Sequence, residues 1–485
     1  MARTKVYVAR ETAACSVGAD DVAVAPLARL DELERRWIAT APRPGARADF
    51  EARLGADIFQ RLSVADPHLG RGYIAGGETP ASPLARAAED PEVIERYLVN
   101  LLDYAYDTLS RERPDLVFCH RVDDAPTLAL AVTASHLGIP FAQLRHTRIG
   151  KRVIVDTSPY DRLEPVRSTF ETFVLTGAVP RELAEPAEAY LAAVRDAHSA
   201  PDYLAYHSRR VEERLRPSRR LREVLSSLRT AFQEVFGREI RCLRQPAPLA
   251  LCHHEQQVAR RTGNLLRHGP FRPTGWRPAG DFAFFPLHVE PEASTMVQSP
   301  NHTDQLAVIE AIAKNLPSGM RLLVKEHLPM LGRRPSGFYR RLQRLPAVEL
   351  ASPFEDGATL VRDAALTASI SSTAAWEAMV IGRPTLIIAF PPFAMVNDGF
   401  VAETDLTRLG AAIRAALASP PADERRLLAY VAAALAHSFE CPTETLRGPV
   451  TAETVRQNPQ ILAELARRLA ALAQPDSGKD IQAYG

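Results

Sequence analysis

No membrane-length apolar run, no paired cysteines and no large net charge of either sign mark this chain. No window reaches the roughly 18 apolar residues that a membrane span needs. The opening residues, MARTKVYVARETAAC, lack the apolar stretch of a signal peptide. The five cysteines, at 15, 119, 242, 252 and 441, lie far apart and form no CxxC pair. An odd, scattered set fits reduced thiols in a cytoplasmic protein, not a disulfide frame. With 59 Lys and Arg against 58 Asp and Glu, the clustered basic excess of a nucleic-acid binder is missing. A GxSxG elbow, a Walker A loop and the protein-kinase motifs are absent, and MVIGRP is not a dinucleotide fingerprint. The His and Glu spacings miss HExxH, and CHHE at 252–255 lacks a second ligand pair. Neither a metal nor a resident cofactor is expected.

What is present is an α/β pattern. A chain of 485 residues is too long for one core, and two domains are expected. KVYVAR (5–10) reads as a first strand, and residues 63–82 as loop. Ile94, Leu98, Leu101 and Leu102 give 91–112 a helical face. RPDLVFCH (113–120), a helix, a glycine stop and a further strand form a βαβ unit, the element of a parallel sheet. Residues 160–245 read as charged helices, either a solvated face or a basic strip for a partner. From 281 strands and helices alternate: DFAFFPLHVE, a helix over 303–316, a strand over 321–325, helices over 336–344 and 356–364, strands over 347–350, 366–370 and 385–390. The rest, 405–475, is Ala- and Leu-rich helix, and the tail after 475 is expected to be mobile.

Two apolar strands end in polar clusters. RLLVKEHLP offers Lys325, Glu326 and His327; LTASISSTAAWEA offers Ser371, Ser372, Thr373 and, in the following helix, Glu377. Ligands of open α/β sheets bind at the carboxyl ends of the strands. A Ser- and Thr-rich helix start there suits an anion, because free N–H groups and the helix dipole face it. Ser371 or Ser372 can cap the helix. Glu377 lies at a distance that suits ribose hydroxyls. The same residues would also serve as an ordinary cap and a solvent glutamate. FFPLHVEPEAS adds His288, Glu290 and Glu292, with His288 toward a phosphate or sugar and Glu292 toward a sugar hydroxyl. Arg333 or Arg334 can add charge or sit in a solvated turn. In the N-terminal half Asp66 and His120 are candidate bases for an acceptor hydroxyl. His68, Asp123, Asp124 and His146 compete with them, and each also fits a structural role.

FFPLHVEPEAST, DQLAVIEAIAKNLPSGMRLLVKEHLPMLGRRP and VELASPFEDGATLVRDAALTASISSTAAWEAMVIGRPTLII, within 281–395, resemble the bacterial capsule and surface-polysaccharide biosynthesis proteins that include the capsular β-Kdo transferases. The resemblance covers about a quarter of the chain. It implies a GT-B-like α/β fold: two Rossmann-like doubly wound domains facing a cleft, with a helical insertion and C-terminal helices. The domains would be 1–160 for the acceptor, 161–270 as helical insertion, 271–404 for the donor nucleotide-sugar, and 405–485 as helices returning toward the first. It further implies inverting, metal-independent transfer of Kdo or another acidic sugar to a polysaccharide or glycolipid acceptor, with peripheral contact to a membrane-bound assembly complex. The counterparts of the family's His-Pro and Ser-Ser motifs around the phosphate look like His327 and Ser371/Ser372. Read from the residues themselves, Lys325 supplies a point charge for the phosphate, Glu326 lines the donor site or points the other way and orients a neighbour, and Arg333 adds charge there. One departure is that Leu328 stands where the family's His-Pro motif has proline. A CDP-polyol phosphotransferase, a sugar-nucleotide epimerase or a non-catalytic scaffold would share the same donor cradle.

Overall fold

Leu116–Cys119 and Phe141–His146 are short and largely buried, and between them lies a helix that fits a parallel crossover. The computed structural model describes residues 6–9, 30–74, 79–160, 162–196, 201–236, 242–441 and 458–473. Cys15, residues 75–78 of the expected loop and the tail after 475 lie outside these. The chain divides into two units: 1–66, 87–187 and 429–485 form unit 1, and 67–86 and 188–428 form unit 2.

In unit 1, strands β1 (Val6–Ala9), β2 (Leu116–Cys119), β3 (Phe141–His146), β4 (Arg152–Asp156) and β11 (Ser438–Glu440) form one sheet in that order. β1, β2 and β3 are parallel. Helix α1 (Ala125–His136) makes the crossover from β2 to β3. It starts at a reciprocal capping box, in which the Asp124 carboxylate accepts the Thr127 N–H at 2.8 Å. β4, a strand not read from the sequence, runs antiparallel to β3. Only residues 147–151 separate the two, too few for a crossover of a dozen or more residues. β11 then pairs antiparallel with β4. The helix Pro459–Leu472 lays Ile461, Leu465 and Leu469 on Ala142, Leu144, Val153 and Val155.

In unit 2, β5 (Phe282–Pro286), β6 (Arg321–Lys325), β7 (Val348–Leu350), β8 (Leu366–Ser369), β9 (Thr385–Ile387) and β10 (Val401–Ala402) form a parallel sheet in the order β7-β6-β5-β8-β9-β10. Counted within the unit this is 3-2-1-4-5-6, the Rossmann order. The sheet is apolar on both faces and covered on both. One face sets Ala283, Phe285, Leu322 and Val324 among Ile309, Ile312 and Ile413. The other sets Phe282, Phe284 and Leu323 among Leu360, Val361 and Ala378. The strand order reverses between β5 and β8, so the crevice outside their carboxyl ends is the natural ligand position. Unit 2 also carries α2 (Pro201–Leu215) and α3 (Pro217–Phe236), within the charged helical stretch expected over 160–245, and α4 (Pro248–His268) beyond it.

Candidate functional site

β8 runs into Ile370 and Ser371, and helix α5 (Thr373–Val380) begins two residues later. The Ser371 N–H points at His288 Nε2, 3.4 Å away, which follows β5 on the neighbouring strand. Ser371 is 2 % exposed. Its Oγ and that of Ser372 are buried and have no hydrogen-bond partner among the described residues. Ser372 occupies the N-cap position, yet its hydroxyl caps nothing; the expected serine cap is not made. Leaving a buried hydroxyl unsatisfied costs roughly 1–3 kcal/mol. Two such hydroxyls beside an uncapped helix start are placed to meet an anion. Thr373 is exposed at the first helical position.

The adjacent strand end brings Lys325 and His327 to the same crevice. The Leu287 N–H donates to the Lys325 carbonyl at 3.0 Å, fixing the two strand ends together. Lys325 Nζ donates to the Glu326 carbonyl at 3.2 Å, and burial pulls its pKa down. Burial, with Lys325 adding to it, lowers His327 to about 4. The ring is therefore a neutral donor near pH 7, not a cation. The His207 ring of α2 stands edge-on at 6.3 Å from it. Leu328 is 1 % exposed and packs with Leu331 against Val211 of α2. This contact anchors the loop to a helix.

Glu326 does not reach a ligand. Its Oε1 and Oε2 are bound by Arg334 Nη2 and Nε, each at 3.0 Å, and Oε2 also accepts the Tyr339 hydroxyl at 2.6 Å. Oε1 accepts the His327 N–H at 2.7 Å. Arg334 donates further to Glu290 Oε2 at 2.8 Å and to the His288 carbonyl at 2.6 Å. Gln305 closes the network, accepting the His288 N–H at 2.7 Å and donating to Glu290 Oε1 at 2.5 Å. Arg334, Glu290 and Glu326 have no side-chain exposure. Burial pushes the Glu290 carboxyl up to about 7 against the pull of Arg334. One guanidinium thus orients both His288 and His327 from beneath, which corrects the placement of Glu326 as a donor contact and of Arg334 in a solvated turn. Sequence reasoning missed this role because nothing local distinguishes Arg334 from Arg333. The clue was the pair of acids, Glu290 and Glu326, ending two adjacent apolar strands.

The other candidates divide. Arg333 is engaged elsewhere, its Nη2 reaching both Glu255 oxygens of α4 at 2.9 and 3.0 Å. Glu292 accepts the Ser294 hydroxyl at 2.7 Å, and its Oε2 lies 3.9 Å from His288 Nδ1. Glu377 is half-buried on α5. Burial, aided by the nearby Asp356 and opposed by Arg362, raises its pKa to about 7. The neighbouring Trp376 Nε1–H donates to the Tyr190 hydroxyl at 3.0 Å and holds this helix on the unit. In unit 1, Asp66 is fully buried and accepts the Ala125 N–H at 3.2 Å, bracing the start of α1. His120 is exposed just after β2.

No family model and no curated protein matches the chain. Solved structures that align with it include two β-Kdo transferases of Thermosulfurimonas dismutans KpsC. The 2,4 transferase is 15 % identical, covers 74 % of this chain and 87 % of its own, and has a TM-score of 0.36. The 2,7 transferase is 12 % identical, with 68 % and 80 % covered and a TM-score of 0.33. A UDP-GlcNAc 2-epimerase of Methanocaldococcus jannaschii in complex with UDP-GlcNAc and UDP is 12 % identical, with 70 % and 81 % covered and a TM-score of 0.28.

Proposed function

We propose that the chain is a glycosyltransferase whose unit 2 holds a nucleotide-sugar donor. The observation that carries this reading is the pair of buried, unpartnered serine hydroxyls, Ser371 and Ser372. They stand at an uncapped helix start beside His288, at the reversal point of a Rossmann-ordered sheet. In this reading the α5 start and the serine hydroxyls hold the phosphate. Lys325 and neutral His327 stabilise the charge that develops on it as the bond to the anomeric carbon breaks. An acceptor hydroxyl attacks that carbon from the opposite face and inverts it, losing its proton to a base. Glu377 lies on the same helix, one and a third turns in, and accepts ribose hydroxyls. The resemblance within 281–395 supports an acidic sugar such as Kdo and a surface polysaccharide acceptor.

A thermal-shift series with CMP, CDP, UDP and GDP tests the donor assignment, because a ligand that binds only the folded state raises apparent stability. One nucleotide should stabilise the wild type and stabilise Ser371→Ala less. No shift with any of them would sink the proposal. Product analysis with the matching nucleotide-sugar then separates the reaction types: transfer to an acceptor, release of an epimer, or movement of phosphate with the sugar.

A further inference from the structure

Helix α3 carries a row of large apolar side chains that are exposed to solvent among the described residues. Leu221 is 62 %, Leu225 58 %, Leu228 51 % and Phe232 63 % exposed. At about 100° per residue these four fall within about 60° of one another on one side of the helix. Arg222 and Arg229, both exposed, flank the row at about 70–90° from its centre. Glu223 lies on the far face, where it accepts from Arg219 at 2.8 Å. Through α2 and α3, residues 201–236, eight arginines stand against five carboxylates, in a chain of net charge +1. An apolar centre, a basic edge and an acid on the back form the pattern of a helix that lies in a membrane interface.

The charge pattern selects the occupant. A second copy of the row would offer Arg222 and Arg229 no carboxylate from the described side chains of α3, because Glu223 faces away from it. An anionic lipid surface offers both partners at once: acyl chains for the leucines and headgroup phosphates for the arginines. Charged residues interrupt α3 throughout, and among the described residues no helix is long and apolar enough to span a bilayer. We infer that α3 docks unit 2 flat on an anionic membrane surface. Its neighbour α2 carries His207 and Val211 against the loop of His327, so docking brings the donor loop close to the lipid.

Flotation of the full chain with vesicles of phosphatidylcholine and phosphatidylglycerol, against phosphatidylcholine alone, tests this. The wild type should float with the anionic vesicles, less so in high salt. Leu225→Glu with Leu228→Glu should lower partitioning at least about tenfold. Each of Arg222→Gln and Arg229→Gln should lower it roughly fivefold, on anionic vesicles only. Unchanged far-UV dichroism and melting temperature show that the variants remain folded. No flotation of the wild type, or equal flotation of all variants, would overturn the inference. So would a dimer seen by analytical ultracentrifugation that dissolves in the double leucine variant while flotation persists.

Discussion

Arg334 and Glu326 form a two-point ion pair with no solvent exposure, Nε to Oε2 and Nη2 to Oε1, each at 3.0 Å. A buried charge set of this kind contributes little when intact but is costly to break, because one partner is left charged in a dry site. Arg334→Ala strands two carboxylates, Glu290 and Glu326, and should cost about 3–5 kcal/mol in urea unfolding. Arg334→Lys should also destabilise, since a single ammonium cannot supply the parallel donors of a guanidinium. A loss within about 0.5 kcal/mol, the range of an ordinary surface change, would mean that the network does not hold the strand ends.

Ser371→Ala should act with opposite signs on folding and on binding. The hydroxyl makes no bond to the described residues, so its removal relieves an unsatisfied polar group and leaves stability equal or higher. Nucleotide affinity should fall by roughly tenfold, the equivalent of one hydrogen bond of about 1.4 kcal/mol to a charged group. Calorimetry and thermal unfolding on the same preparation read both effects. A variant that is less stable yet binds normally would assign Ser371 to the core.

Glu377 gives a pH signature. Its pKa is raised to about 7 in the folded protein from an ordinary 4.5. Between those values the folded state keeps a proton that the unfolded state has released. Stability attributable to this group is therefore full below the unfolded value and is lost as pH rises through the folded value. Glu377→Gln mimics the protonated form and should gain stability over the wild type at about pH 8 while matching it at about pH 4. Glu290, raised in the same direction, titrates in both proteins and cancels in the comparison. A gap between the two melting curves that does not change with pH would refute the raised pKa. Wild-type nucleotide affinity in Glu377→Gln would separately count against the ribose contact.

The strands and helices of unit 2 were legible because each carries its own signal. Apolar runs such as FAFF and LLV must be covered on both faces, and the helices Gln305–Asn315, Gly357–Asp363 and Thr373–Val380 begin after Asp304, Asp356 and Ser372. The crevice residues were legible for the same reason: Lys325, His327, His288 and Ser371 are polar residues just past apolar strands. What escaped depends on pairing between distant segments. β4 was not among the strands read from the sequence, and the short turn before it forces an antiparallel partner. β11 is three residues long and is held by a strand nearly three hundred positions earlier. Glu326 and Arg334 are chemically indistinguishable in sequence from ligand-binding residues, and only their mutual burial assigns them to support.

His327 carries the sharpest chemical prediction. Burial and the neighbouring Lys325 hold its pKa at about 4, so in the proposed reaction at neutral pH it would stabilise the leaving phosphate by donating a hydrogen bond and not by charge. His327→Ala should lower turnover by roughly 10²-fold, the usual cost of one such donor, with a smaller effect on nucleotide affinity. Because the ring remains neutral from about pH 5 upward, turnover should show no ionisation near the ordinary histidine value. Folding stability should decline as pH falls from 6.5 toward about 4, where the unfolded ring gains a proton that the folded one refuses. His327→Gln retains a neutral donor and should recover part of the lost rate. An activity limb at about pH 6.5 that disappears in His327→Gln would show instead that the charged imidazolium performs the chemistry.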